Sequence, residues 1–131
     1  MNGEALTELI TSLFLVLIMA GLAWSMKAAG TGQLKRNAWI GIRTASFSHC
    51  DECWLLGHHA ASHKGIIGCV AAAVIIAAGG VAALLAPSLD YLQPVSLMLG
   101  VLVMLVGLLL GMRDGNTMLA KMHTDELGAD R

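Results

Sequence analysis

Two stretches of this chain run uncharged for longer than a soluble helix requires: "GIIGCVAAAVIIAAGGVAALLA" (residues 65–86) and "LQPVSLMLGVLVMLVGLLLGM" (residues 92–112). At about 1.5 Å rise per residue, each as a helix reaches across a hydrocarbon layer of roughly 30 Å. A third, "LITSLFLVLIMAGLAWSM" (residues 9–26), is also uncharged and just long enough. Composition agrees: 56% of residues are hydrophobic and 13% charged, against roughly a quarter charged in a typical soluble domain. The expected fold is therefore all-α and integral to the membrane. It is a single domain over 1–131, with transmembrane helices near 6–27, 65–86 and 92–112. A cleaved signal peptide is the competing reading of the first run. Against it, the leading residues carry Glu4 and Glu8 and no Lys or Arg, whereas a signal n-region is basic.

The basic residues suggest how the spans are threaded. Lys27, Lys35, Arg36, Arg43 and Lys64 fall between the first two spans; Arg113, Lys121 and Arg131 follow the third. Because Lys and Arg near span ends stay in the cytoplasm, all of them lie on one side if the N-terminus is outside and the C-terminus inside. Residues 28–64 then form a cytoplasmic motif segment and 113–131 a cytoplasmic tail. Such a basic loop favours anionic headgroups of the bilayer. It lacks the interleaved aromatic and basic residues of a nucleic-acid binder, so no nucleic acid is expected as a partner. Cysteines on that side are expected to be reduced, with no disulfide framework.

Pro87, Ser88 and Asp90 suggest a short reversal, making spans two and three an antiparallel hairpin. Gly107 and Gly111 form a G-x-x-x-G step. It serves either packing within the chain, the simpler reading, or a homo-oligomer.

Residues 37–63, "NAWIGIRTASFSHCDECWLLGHHAASH", hold the unusual chemistry. From about Ser48 to Lys64 they read as a short cytoplasmic helix at the bilayer interface between spans one and two. Ser48 with Asp51 resembles a capping box, and Asp51 and Glu52 suit the helix N-terminus. Trp39 fits an interfacial anchor. Arg43 is expected either to reach lipid phosphate or to pair with Asp51 or Glu52. The pairs Cys50/Cys53 and His59/His63 have metal-ligand spacing. On one helix, however, the histidines fall near 180° and 220° from Cys50, and Cys53 near 300°. The pairs are also about 14 Å apart along the axis, too far to share a tetrahedral ion. A redox role meets a similar objection, because CxxC oxidoreductases use a strand–helix junction that is not foreseen here. No cofactor is expected. Nor is an enzyme: the spans carry no charged residue, and Arg43, Asp51 and His58 have no nucleophile with a positioned base beside them.

"RNAWIGIRT" followed by "DECWLLGHHAA" resembles the signature of the SdpI family of bacterial multi-pass membrane proteins. The matching positions are Arg36, Asn37, Gly41, Ile42, Arg43, Thr44, Asp51, Glu52, Trp54, Gly57 and His58. Ala45 stands where that signature has proline, Phe47 where it has threonine, and His59 where arginine is common. Both cysteines occupy unspecified positions. The family includes an immunity protein against a secreted peptide toxin that also signals by holding a repressor at the membrane. The resemblance implies a non-enzymatic protein of the bacterial cell membrane acting by binding, in immunity, in signalling or as an accessory subunit. A membrane protein or peptide would be the partner, and the motif residues would either contact it or lock the loop to the spans. The alternative is a small metal- or redox-responsive membrane protein using Cys50, Cys53, His59 and His63.

Overall fold

A computed structural model describes residues 3–86, 88–89 and 91–129. Four helices follow in order: α1 (Gly3–Gly30), α2 (Ala45–Ser48), α3 (Asp51–Leu85) and α4 (Leu92–Ala129). Three of them are long and apolar enough to cross a membrane, as the uncharged runs require. α3 is the middle helix and packs along both α1 and α4.

Two helices outrun their apolar stretches. α3 has 35 residues and α4 has 38, or about 53 and 57 Å at 1.5 Å per residue. The interfacial helix expected over 48–64 is not a separate element; from Asp51 it is the first part of the same helix that becomes span two. Gly65, which opens the apolar run, lets Met26 of α1 approach; a Cβ there would come within 2.6 Å of the Met26 methyl. The tail likewise continues α4 without a break. At the boundary, Lys64 and Asp114 pair across α3 and α4 at 2.8 Å. Of the turn between α3 and α4, Pro87 and Asp90 lie outside the described residues. Leu89 N–H donates to the Ala86 carbonyl and Leu92 N–H to the Leu89 carbonyl, closing the reversal.

The membrane section is packed through small residues and turned outward through large ones. A Cβ on Gly107 would lie 2.6 Å from the Cα of Gly68, and one on Gly111 2.6 Å from the Ala61 carbonyl. Both glycines of the G-x-x-x-G step are thus spent on the chain's own α3–α4 contact and are buried there. Leu13, Phe14 and Leu17 on α1, Val74 on α3, and Met98, Leu102 and Leu109 on α4 are exposed, as lipid-facing residues should be. At the end away from the loop, buried Gln93 donates to the Glu8 carbonyl (2.8 Å) and to Ser12 Oγ (3.0 Å), tying α4 to α1.

Candidate functional site

The end of the bundle that carries the basic residues is closed by a cap made of residues 31–50 folded over the protruding half of α3. Its centre is His58, fully buried, whose ring lies tilted against Trp54 with centroids 4.1 Å apart and meets Phe47 edge-on at 5.2 Å. The two ring nitrogens have partners of opposite kind. Nδ1 lies 2.8 Å from the Trp54 carbonyl and so donates; Nε2 accepts the Ile42 amide N–H at 2.8 Å. One neutral tautomer satisfies both, as partner chemistry dictates. Burial holds the His58 pKa below the ordinary imidazole value, outweighing the opposing pull of the Trp54 carbonyl. His58 precedes the apolar run at 65, so it lies outside the span.

The loop is shaped to reach that ring. Trp54 Nε1 donates to the Leu34 carbonyl (3.0 Å), and the Leu34 N–H returns to the Ala28 carbonyl at the end of α1. Asn37 Oδ1 accepts the N–H groups of Trp39 and Ile40, a side-chain-mimicked turn. Gly41 has φ +110, and a Cβ there would strike Trp54 at 2.7 Å and His58 Nε2 at 2.8 Å. Glycine is needed twice over, for the backbone and for the approach. Thr44 caps α2 by accepting the Phe47 N–H.

α2 delivers Phe47, which is fully buried between Gly57 of α3 and Gly115 of α4. A Cβ on Gly57 would come within 2.8 Å of its ring, and one on Gly115 would overlap it outright. Met26, Cys53, Ala61 and Leu119 complete this core. The departure from the family signature at Phe47 is therefore the residue around which the cap is built. Gly115 and Leu119, beyond the third apolar run, belong to the same cap. The period of glycines continuing from Gly107 and Gly111 to Gly115 was the signal that α4 kept packing past the span.

Several charges sit otherwise than foreseen. Arg36, not Arg43, takes Asp51: its Nε donates to the carboxylate at 2.8 Å, and its Nη1 donates to the Ser48 carbonyl at 2.9 Å. Arg43 donates instead to the Ala38 carbonyl inside the loop. Glu52 is exposed in the first turn of α3. Since the Arg36–Asp51 pair is itself exposed, Asp51→Asn should lower stability by less than about 1 kcal/mol in thermal unfolding. A loss several times larger would mean that the pair, rather than the core beneath it, holds the cap.

The cysteines and histidines also fall differently. Cys50, not Ser48, is the N-cap of α3, its sulfur accepting the Cys53 N–H at 2.9 Å. Cys50 and Cys53 form a disulfide, with Cα atoms 5.0 Å apart, where free thiols were expected. His59 turns to the far side, its Nδ1 3.2 Å from the Gly30 carbonyl, where it caps the end of α1. His63 is exposed. The cluster of metal-ligand type among the described residues joins the cysteines to His49 and not to His59 or His63.

The SdpI/YfhL protein family model matches residues 33–112, from the start of the cap through the third span. The chain belongs to the SdpI/YfhL protein family. No curated protein and no solved structure matches it. In this SdpI-family chain the matched segment is one physical unit: the loop, the α3 half that it folds onto, and the hairpin that holds that half upright.

Proposed function

We propose that this SdpI-family protein works by binding a polypeptide partner at the membrane surface, without catalysis. Immunity, signalling and accessory-subunit roles are versions of that activity. The observation that carries the reading is the direction in which the motif faces. Trp54 and His58 are buried against the loop, and both nitrogens of the one buried histidine are held by backbone groups, which leaves it no free lone pair for acid–base work. These residues make the cap rigid. What the cap shows outward is a mixed apolar and basic rim: Trp39, 90% exposed, with Ile40, Lys35, Arg36 and Arg43 of the same loop also exposed. Beside the rim, a recess of about 380 Å³ is lined by Leu34, Lys35, Arg36, Asp51 and Leu55 over the Trp54 ring.

A rigid surface with a protruding tryptophan and flanking cations suits recognition, since it loses little conformational entropy on binding. The same residues suit the headgroup layer, where Trp39 and the cations would settle among anionic lipids. With the N-terminus outside, as the placement of the cations favours, the cap lies in the cytoplasm of a bacterial cell. A photoreactive phenylalanine at Trp39, in native membranes, should give one discrete protein or peptide adduct. The same group at Leu17, on the lipid-facing side of α1, should not. Adducts with lipid alone at both positions would reject the binding reading and leave the cap as an anchor.

A further inference from the structure

His49, Cys50 and Cys53 present one nitrogen and two sulfurs that all lie within 4.8 Å of one another. They sit where α2 ends and α3 begins, at the edge of a shallow cleft of about 330 Å³ between α2 and α4. Across that cleft, His123 of α4 faces His49 edge-on, with ring centroids 6.4 Å apart. Two imidazoles held about 2 Å from one tetrahedral ion have centroids on the order of 5 Å apart, closer than these two rings stand, so His123 has to move inward to join the other three. Its Nδ1 lies 3.2 Å from the Leu119 carbonyl. That carbonyl takes the Nδ1 proton and leaves Nε2 with its lone pair, the arrangement in which metal-bound histidines are oriented by a backbone group. Cys50 Sγ already accepts the Cys53 amide at the N-terminus of a long helix, where amide and dipole together favour a negative sulfur.

We propose that, with the Cys50–Cys53 bridge reduced, His49, Cys50, Cys53 and His123 form a tetrahedral site for a borderline-soft divalent ion of the zinc type. Two thiolates and two imidazoles are a donor set matched to such an ion. The chemistry closes in two steps. Two molecules of a thiol reduce the bridge to two cysteine thiols and leave as their own disulfide. The ion then binds as both cysteine thiols release their protons, giving a neutral site. Bound, the ion ties the junction of α2 and α3 to the extension of α4, which α2 faces here across the cleft. The site is independent of the partner-binding proposal, since its residues are not those of the Trp39 rim.

The full chain in detergent, reduced with a phosphine and freed of metal, is titrated with cobalt(II) and then zinc. One equivalent of cobalt should bring the visible bands of tetrahedral coordination with sulfur-to-metal charge transfer, and one equivalent of zinc should abolish them. His49→Ala and His123→Ala, both at exposed positions, should each weaken zinc at least tenfold. His59→Ala and His63→Ala should leave it unchanged. In wild-type membranes, zinc should shield two of the three cysteines from maleimide, a readout that needs no variant. Octahedral cobalt spectra, zinc affinity unmoved by His49→Ala and His123→Ala, failure of the bridge to reduce in the folded protein, or no thiol protection would each overturn the site.

Discussion

Gly107→Ala should lower the unfolding temperature of the detergent-solubilised protein by roughly 5–10 °C, and Gly107→Leu should prevent α4 from docking on α3. The alanine methyl would meet the Cα of Gly68 at 2.6 Å and the Lys64 carbonyl at 3.0 Å. Both are backbone atoms of a helix, so no side-chain rotation makes room; the helices must separate and lose close contact along their length. In lipid that loss is serious, because helices gain nothing from hydrophobic exclusion and depend on packing at short range. Gly21→Ala is the control. A Cβ there meets nothing within 4 Å, and replacing a helical glycine in open space should be neutral or slightly stabilising. Thermal unfolding followed by helicity, with oligomer mass measured alongside, separates the possibilities. If Gly107→Ala were as stable as Gly21→Ala while a dimer dissociated, the glycine would belong to a contact between copies.

The three long helices were legible because charge-free length is a strong signal, and lipid leaves few other structures available to such a run. The helix ends were not. Lys64 and Arg113 mark where the apolar runs meet polar surroundings, and it is natural to end the spans there, yet a helix needs no apolar environment to continue. α3 starts at Asp51 and α4 runs on to Ala129 because their extensions bury Phe47, Cys53 and Leu119 between them. Of the motif, Gly41 and Gly57 were visible as glycines, but the reason for each is a particular ring pressed against it. Spacing pointed to Arg43 as the partner for Asp51 or Glu52, whereas Arg36 takes Asp51. The choice depends on a loop whose path is set by Asn37 and by the positive φ of Gly41. The helical wheel separated Cys50 and Cys53 from His59 and His63, as the structure does, but it could not show that His49, just before α3, groups with the two cysteines.

Acidification should loosen the cap, and His58 should be the cause. Its Nε2 must stay unprotonated to accept the Ile42 N–H, while Nδ1 already donates to Trp54. A second proton would set two N–H groups against each other beside buried rings. Burial disfavours the charged ring and holds its folded-state pKa below the ordinary value, so the unfolded chain takes up the proton first as pH falls. The stabilisation is complete above about pH 6.5, the ordinary imidazole value, and is lost progressively as pH falls from there through the lowered folded value. His58→Phe keeps an aromatic ring against Trp54 and Phe47 but offers the Ile42 amide no acceptor. It should cost about 1–3 kcal/mol at neutral pH and flatten the dependence of unfolding temperature on pH between 8 and 5. An unchanged slope in His58→Phe would assign the titration elsewhere. A steep slope in the wild type alone would make the cap, and with it the Trp39 rim, responsive to the pH on its side of the membrane.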